Sequence, residues 1–86
     1  MSSLAHGNNI LPVEVTHISG FGVWLLVAGI EYFMSYDQFP WFRNARVADI
    51  LTVEQLSPGH LYWSKLDVDL SVDSIENPQR FPLVAS

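Results

Sequence analysis

Three aspartates lie in one short stretch, and their spacing suggests a site for a cation. The segment "WSKLDVDLSVDSIE" contains Asp67, Asp69 and Asp73. Acidic side chains two residues apart match the first ligand positions of an EF-hand calcium loop. That loop also needs glycine at its sixth position and glutamate at its twelfth, where this chain has Val72 and Pro78. The spacing therefore predicts no dedicated metal site, and it indicates that Asp67 and Asp69 form the solvated face of a strand.

The histidines do not indicate a metal site, and the sequence contains none of the common catalytic motifs. His6, His17 and His60 are the only histidines, and His17 and His60 are not spaced as a helical ligand pair for a metal that needs three or four ligands. The chain has no G-x-S-x-G, no glycine-rich phosphate loop and no H-E-x-x-H. We therefore predict no catalytic residue, no metal and no cofactor, and we expect that the protein is not an enzyme.

Aromatic side chains are unusually frequent. Three tryptophans, three tyrosines and five phenylalanines occur in 86 residues, which exceeds what one small core usually holds. Some are expected to fill the core, and others to form a binding surface, because aromatic residues supply most interface hot spots. The interface candidates are Trp24, Phe33, Phe39, Trp41, Phe42 and Trp63. An apolar pocket between sheet and helix, for a small molecule, is the alternative.

Strands are the elements that must position these residues. Alternating apolar and polar residues predict strands in "ILPVEVTHIS" and "IEYFMSY", and a short run rich in β-forming residues predicts another in "VWLLVAG". The last two strands along the chain are expected to form a hairpin. We predict a further strand over 48–56 that pairs with "HLYW" across a Ser-Pro-Gly turn, and a strand over 66–70.

Helices are predicted to be short. Aromatic residues at helical spacing predict one over 38–46, and Ser71 or Asp73 can cap a helical turn in "VDSIEN". The predicted fold class is α+β, with a small antiparallel sheet of about five hairpin-connected strands and one or two short helices packed on it. Residues 1–9 are expected to be a flexible N-terminus, and 10–86 a single domain.

Composition excludes several partners. The formal net charge is −5. The basic residues are Arg43, Arg46, Lys65 and Arg80. So few cations disfavour direct binding of nucleic acid or of an anionic membrane. The longest apolar run is too short to span a bilayer, and the absence of cysteine favours the cytoplasm. We expect a homo-oligomer, dimeric or larger, that covers spare apolar surface.

Much of the chain resembles a known family. The segments "FGVWLLVAGIEYFMSYDQFPWFRNA", "HLYWSKLDVDLSVDSI" and "NPQRFPL" resemble the bacterial family called domain of unknown function 2442, from about Val13 to Leu83. The motifs "FPWF", Trp63 and "LDVDLSV" carry the resemblance. Ser64 departs from it, because proline is expected after the tryptophan, and this departure affects a local turn.

The resemblance implies a small α+β domain on an antiparallel sheet and supplies no catalytic residue. Members look like companions of another small protein family in bacterial operons, which implies a regulatory or antitoxin-like pairing with a small protein partner. Together with the aromatic residues, this favours a non-catalytic protein-interaction module, and a small-molecule sensor is the alternative.

Overall fold

The computed structural model describes residues 11–78. Within that range the order of elements is β1 (Val13–Ile18), β2 (Gly22–Val27), β3 (Ile30–Ser35), a 3-10 turn (Pro40–Phe42), α1 (Val47–Leu51), β4 (Val53–Ser57), β5 (His60–Trp63), β6 (Val68–Ser71) and α2 (Val72–Glu76). The expected flexible segment, residues 1–9, lies outside the described residues.

The first sheet contains β1, β2 and β3 in antiparallel order. Ala28 and Gly29 connect β2 to β3 and have φ angles of +49° and +86°. Two consecutive positive φ angles are what a two-residue type I′ hairpin requires, so the predicted hairpin is confirmed. In β1 the register shifts between Val15 and His17, and Thr16 is the extra residue of this bulge.

The second sheet contains β4, β5 and β6, also antiparallel. Pro58 and Gly59 connect β4 to β5, and the φ of Gly59 is +79°, as expected for a turn with proline followed by glycine. The predicted second hairpin is therefore confirmed. β6 begins at Val68 rather than residue 66, because Asp67 ends the preceding turn with a φ of +54°.

The connection between the two sheets differs from the prediction. The helix expected over 38–46 is only the 3-10 turn Pro40–Phe42, and the start of the strand expected over 48–56 is the helix α1. Phe39 and Phe42 are both buried and three residues apart, a spacing that one 3-10 turn places on one side. One 3-10 turn is enough to bury both rings, and the backbone is extended again at Arg46, before α1 begins.

Helix α2 follows β6 without a loop. The Ser71 hydroxyl accepts a hydrogen bond from the Ser74 backbone N–H at 3.1 Å, which satisfies a donor that the first helical turn leaves free. Ser71 is thus the cap, as one of the two predicted possibilities had it, and α2 lies next to β3.

A single buried glutamine joins the two sheets. Residues Leu11 and Gln55 form an isolated antiparallel bridge. The Gln55 amide nitrogen donates to the Pro12 carbonyl at 2.7 Å, and its oxygen accepts from the Gly59 N–H at 2.8 Å. Both ends of the side chain are therefore satisfied inside the protein.

Both sheets contribute to one apolar core. Its buried members are Val23, Leu25, Val27, Met34, Tyr36, Phe39, Phe42, Ile50, Leu61, Trp63, Val68, Leu70 and Ile75. The α+β class is confirmed. The single sheet of about five strands is wrong, because six described strands form two three-stranded sheets separated by the helical crossover.

Three of the six interface candidates lie in this core. Phe39, Phe42 and Trp63 are 1%, 1% and 0% exposed. The Phe42 and Trp63 rings meet edge-on at 4.9 Å, and the Trp63 indole N–H donates to the Ile50 carbonyl at 2.9 Å. These side chains cannot contact a partner from inside the core. Their assignment as interface residues is therefore wrong, and they are core residues.

Candidate functional site

An aromatic row crosses the outer face of the first sheet. In the register of the strands, Trp24 lies between His17 and Phe33. The Trp24 and Phe33 rings are 4.9 Å apart and tilted by 44°, an arrangement worth about 0.5–1.5 kcal/mol beyond area burial. Each of the two side chains is still 37% exposed. The sheet thus presents a fixed aromatic pair to the outside.

Glycine makes room for this pair. A Cβ atom built on Gly22 would lie 2.6 Å from the Phe33 ring and 2.2 Å from the Met34 carbonyl oxygen. Phe33 therefore lies across the space that a side chain at position 22 would occupy. The orientation of the aromatic pair depends on this glycine.

A second row on the same face is acidic at both ends. Leu26 lies between Glu14 on β1 and Glu31 on β3. Since neighbouring strands are about 4.8 Å apart, the two glutamate Cα atoms are separated by roughly 10 Å. Residues 13–35 contain no lysine or arginine. The aromatic face therefore carries two carboxylates with no lysine or arginine among its strands.

The two rows border an open depression. Its volume is about 340 Å³, and it is lined by Thr16, His17, Trp24 and Glu31. The bulge in β1 contributes two of these residues. One indole, one imidazole and one carboxylate thus meet at a concave part of the sheet surface.

The outer face of the second sheet is polar. His60 Nε2 lies 2.5 Å from Asp69 Oδ1, and the Tyr62 hydroxyl donates to Asp67 Oδ1 at 3.4 Å. The side chains of the His60–Asp69 pair are 42% and 61% exposed. Asp67 lies in the turn and Asp69 in β6, so the predicted shared strand face does not form. Each aspartate instead has its own partner on β5.

These polar groups show no metal cluster. No group of three or more His, Cys, Asp or Glu among residues 11–78 is arranged to hold a metal ion.

The phenol of Tyr32 has a raised pKa. Desolvation by burial raises the pKa of Tyr32 above its ordinary value of 10.0, and the Glu76 carboxylate raises it further. Tyr32 is half-buried, and its phenol stays protonated at neutral pH.

The other predicted features lie apart from the aromatic face. Trp41 is 38% exposed, and its ring is 6.4 Å from Phe39. Phe39 and Phe42, on either side of Trp41, are both buried in the apolar core. None of the helices among the described residues combines the length and apolar character that crossing a bilayer requires.

Four residues of this surface were not predicted. Thr16, His17, Glu14 and Glu31 line or border the aromatic pair. Strand alternation could have placed both glutamates on an outer face. The position of His17 beside Trp24 depends on the bulge, which has no reliable signal in a single sequence.

Comparisons with known proteins identify a family. No curated protein and no solved structure matches the chain. The model of one family, described as "Protein of unknown function (DUF2442)", matches residues 12–81. That range includes both sheets, the helical crossover and every residue of the aromatic face. The chain therefore belongs to the DUF2442 family.

Proposed function

We propose that this protein is a non-catalytic, regulatory protein-interaction module, and that the outer face of the first sheet is its binding surface. The observation that supports this most directly is the Trp24–Phe33 pair, which remains 37% exposed at each ring. Eight other large apolar or aromatic side chains are almost fully enclosed in the core. The exposure of Trp24 and Phe33 is therefore not a sign of a loosely packed protein. Exposed, preordered aromatic rings are typical binding hot spots.

The family resemblance favours a small protein partner in a regulatory or antitoxin-like pairing. A flat sheet face with one shallow depression suits a folded partner better than a small molecule, since small ligands are usually held in deep clefts. The depression beside Trp24 is open to solvent and would leave most of a small ligand uncovered.

We also propose that the protein assembles with itself through a different surface. Val47 and Leu51 are 58% and 51% exposed. They are four residues apart in α1 and therefore lie on the same side of the helix. Burying these two side chains between copies would cover apolar surface that the chain leaves in water.

Charge argues against nucleic acid and anionic membrane as partners. Of the four basic residues, Arg43 forms a 2.9 Å ion pair with Asp37 and lies 5.8 Å from the Tyr36 ring centre. A basic surface able to neutralise several phosphates would need more cations than remain. The lack of cysteine supports a cytoplasmic location as part of the same proposal.

The proposal is tested with the tagged protein as bait in a lysate of its native host. We expect one protein to co-purify in stoichiometric amount with the wild type, and to be lost with the double variant Trp24→Ala, Phe33→Ala. Trp41→Ala is the matched control, because it removes an equally exposed aromatic ring elsewhere. Circular dichroism and thermal melting check that each variant is folded.

The expected partner must then bind the purified wild type directly. Retention of that protein by a folded Trp24→Ala, Phe33→Ala variant would show that this face is not the binding surface. Loss with Trp41→Ala alone would move the surface to the helical crossover.

A further inference from the structure

We propose that the outer face of the first sheet recognises an arginine side chain of its protein partner, with the guanidinium group over the Trp24 ring and against the Glu31 carboxylate. This inference rests on the proposed function and specifies the chemistry of the partner. It is drawn from the neighbouring positions of the aromatic row and the acidic row. The binding of an apolar partner would not require the acidic row.

The geometry brings an aromatic ring and a carboxylate to one depression. Trp24 is in register with Phe33 on β3, and Glu31 is two residues before Phe33 on the same face. Such a diagonal pair is separated by about 7–8 Å between Cα atoms. Both side chains line the 340 Å³ depression, so an indole ring and an anionic acceptor border the same space.

Charge decides which partner fits. Glu14 and Glu31 are exposed on this face, and the strands of the sheet contain no lysine or arginine. A cation over an exposed indole ring is attracted to its π-electrons, and a carboxylate accepts charge-assisted hydrogen bonds from it. The face is therefore complementary to a cationic segment.

The same charges disfavour the other occupants. A second copy bound symmetrically through this face would bring two acidic patches together, because such a contact uses the same surface of both molecules, and like charges close together repel. The phosphates of nucleic acids or lipids would meet the same repulsion. A protein segment with positive charge has neither problem.

Arginine suits this arrangement better than lysine. Its planar guanidinium group can stack on an aromatic face while its N–H groups bind a carboxylate in a fork. Lysine carries a compact, strongly hydrated charge that cannot do both as well. Arginine is also enriched in protein interfaces and among their hot spots.

The test uses a fluorescein-labelled peptide that alternates arginine and serine, titrated with the full-length protein and followed by fluorescence anisotropy and by amide NMR shifts. A peptide with citrulline in place of arginine has nearly the same shape without the charge. We expect binding of the arginine peptide, shifts at Trp24 and Glu31, and much weaker binding of the citrulline peptide.

Substitutions locate the interaction. We expect Trp24→Leu and Glu31→Gln each to weaken binding about twofold to fivefold. Glu54→Gln removes an exposed carboxylate from the outer face of the second sheet and should leave the affinity unchanged. Raising the ionic strength from about 0.01 M to about 0.15 M should weaken binding, because the Debye length falls from roughly 30 Å to roughly 8 Å.

Three results would overturn the inference. Equal affinity for the arginine and citrulline peptides would remove the role of charge. An equal loss with Glu54→Gln would show non-specific attraction to an acidic protein. A lower oligomeric mass for Glu31→Gln or Trp24→Leu would assign the face to a second copy. If a partner is captured through Trp24 and Phe33 but these peptide results are negative, the proposed function stands and only the arginine specificity is wrong.

Discussion

Gln55 shows how one buried side chain can connect distant parts of the chain. Its amide group links the segment before β1 to the turn after β4 by hydrogen bonds of 2.7 and 2.8 Å. The residue is only 8% exposed, so water cannot replace those partners easily. Removing the amide would leave the half-buried Gly59 N–H without its acceptor, while the Pro12 carbonyl would still accept from the Ala28 N–H.

We therefore expect Gln55→Leu to lower the free energy of unfolding by about 1–3 kcal/mol, because the half-buried Gly59 N–H loses its acceptor and the Pro12 carbonyl loses one of its two donors. Urea denaturation followed by tryptophan fluorescence measures this. Gln38→Leu is the matched control, since Gln38 is exposed, and it should change stability by less than about 0.5 kcal/mol. Equal midpoints for Gln55→Leu and the wild type would contradict a stabilising role for this link.

At the scale of single elements, β2 is the strand on which the candidate surface depends. Its inward side chains Val23 and Leu25 are fully buried, while Trp24 faces outward. Gly22 begins the strand at the point where Phe33 crosses from β3. Packing on both sides of β2 therefore fixes the aromatic pair.

A methyl group at position 22 should disturb this arrangement. Since its Cβ would lie 2.2 Å from a backbone oxygen, we expect Gly22→Ala to destabilise the protein by about 1–3 kcal/mol or more. It should also shift the NMR signals of Trp24 and Phe33. Gly20→Ala is the control, because nothing lies within 4 Å of the added atom there. If both alanine variants melt at the wild-type temperature, the tight approach of Phe33 to Gly22 is wrong.

At the scale of the whole molecule, apolar groups are distributed between one core and separate surfaces. The sheets and the crossover enclose the core, the first sheet carries the aromatic pair, and α1 carries Val47 and Leu51. The proposed assembly uses α1, and the proposed partner binding uses the sheet. The two processes should therefore respond to different substitutions.

We expect the double variant Val47→Gln, Leu51→Gln to lower the mass of the particle in solution to that of a single chain, because it replaces the apolar contact between copies. Glutamine is a good helix former, so α1 should persist. Leu56→Gln, at another exposed leucine, is the control and should leave the mass unchanged. Light scattering coupled to gel filtration gives the mass. An unchanged mass for the folded double variant would rule out this surface as the contact.

Sequence patterns were reliable where local structure depends on neighbouring residues. Alternation predicted β1 and β3, and a short run of β-forming residues predicted β2. The two short turns predicted both hairpins, and Ser71 was one of the two caps proposed for α2. The α+β class and the family resemblance also followed from the sequence. Each of these features depends on residues close together in the chain.

Local patterns failed where long-range packing decides. The segment around Pro40 has a helical spacing of apolar residues, yet it forms one 3-10 turn that buries Phe39 and Phe42, and the backbone becomes extended at Arg46. The separation of the strands into two sheets depends on this crossover.

The candidate surface divides in the same way. Composition alone indicated that aromatic residues exceed the needs of a small core and that the chain has few cations. The packing of distant segments places Trp24 and Phe33 on the outside and buries Phe42 and Trp63. The bulge that brings His17 beside Trp24 is likewise a feature of the folded sheet. The physical reason is that periodicity describes two faces of a strand, whereas burial of one face depends on segments far away in the chain.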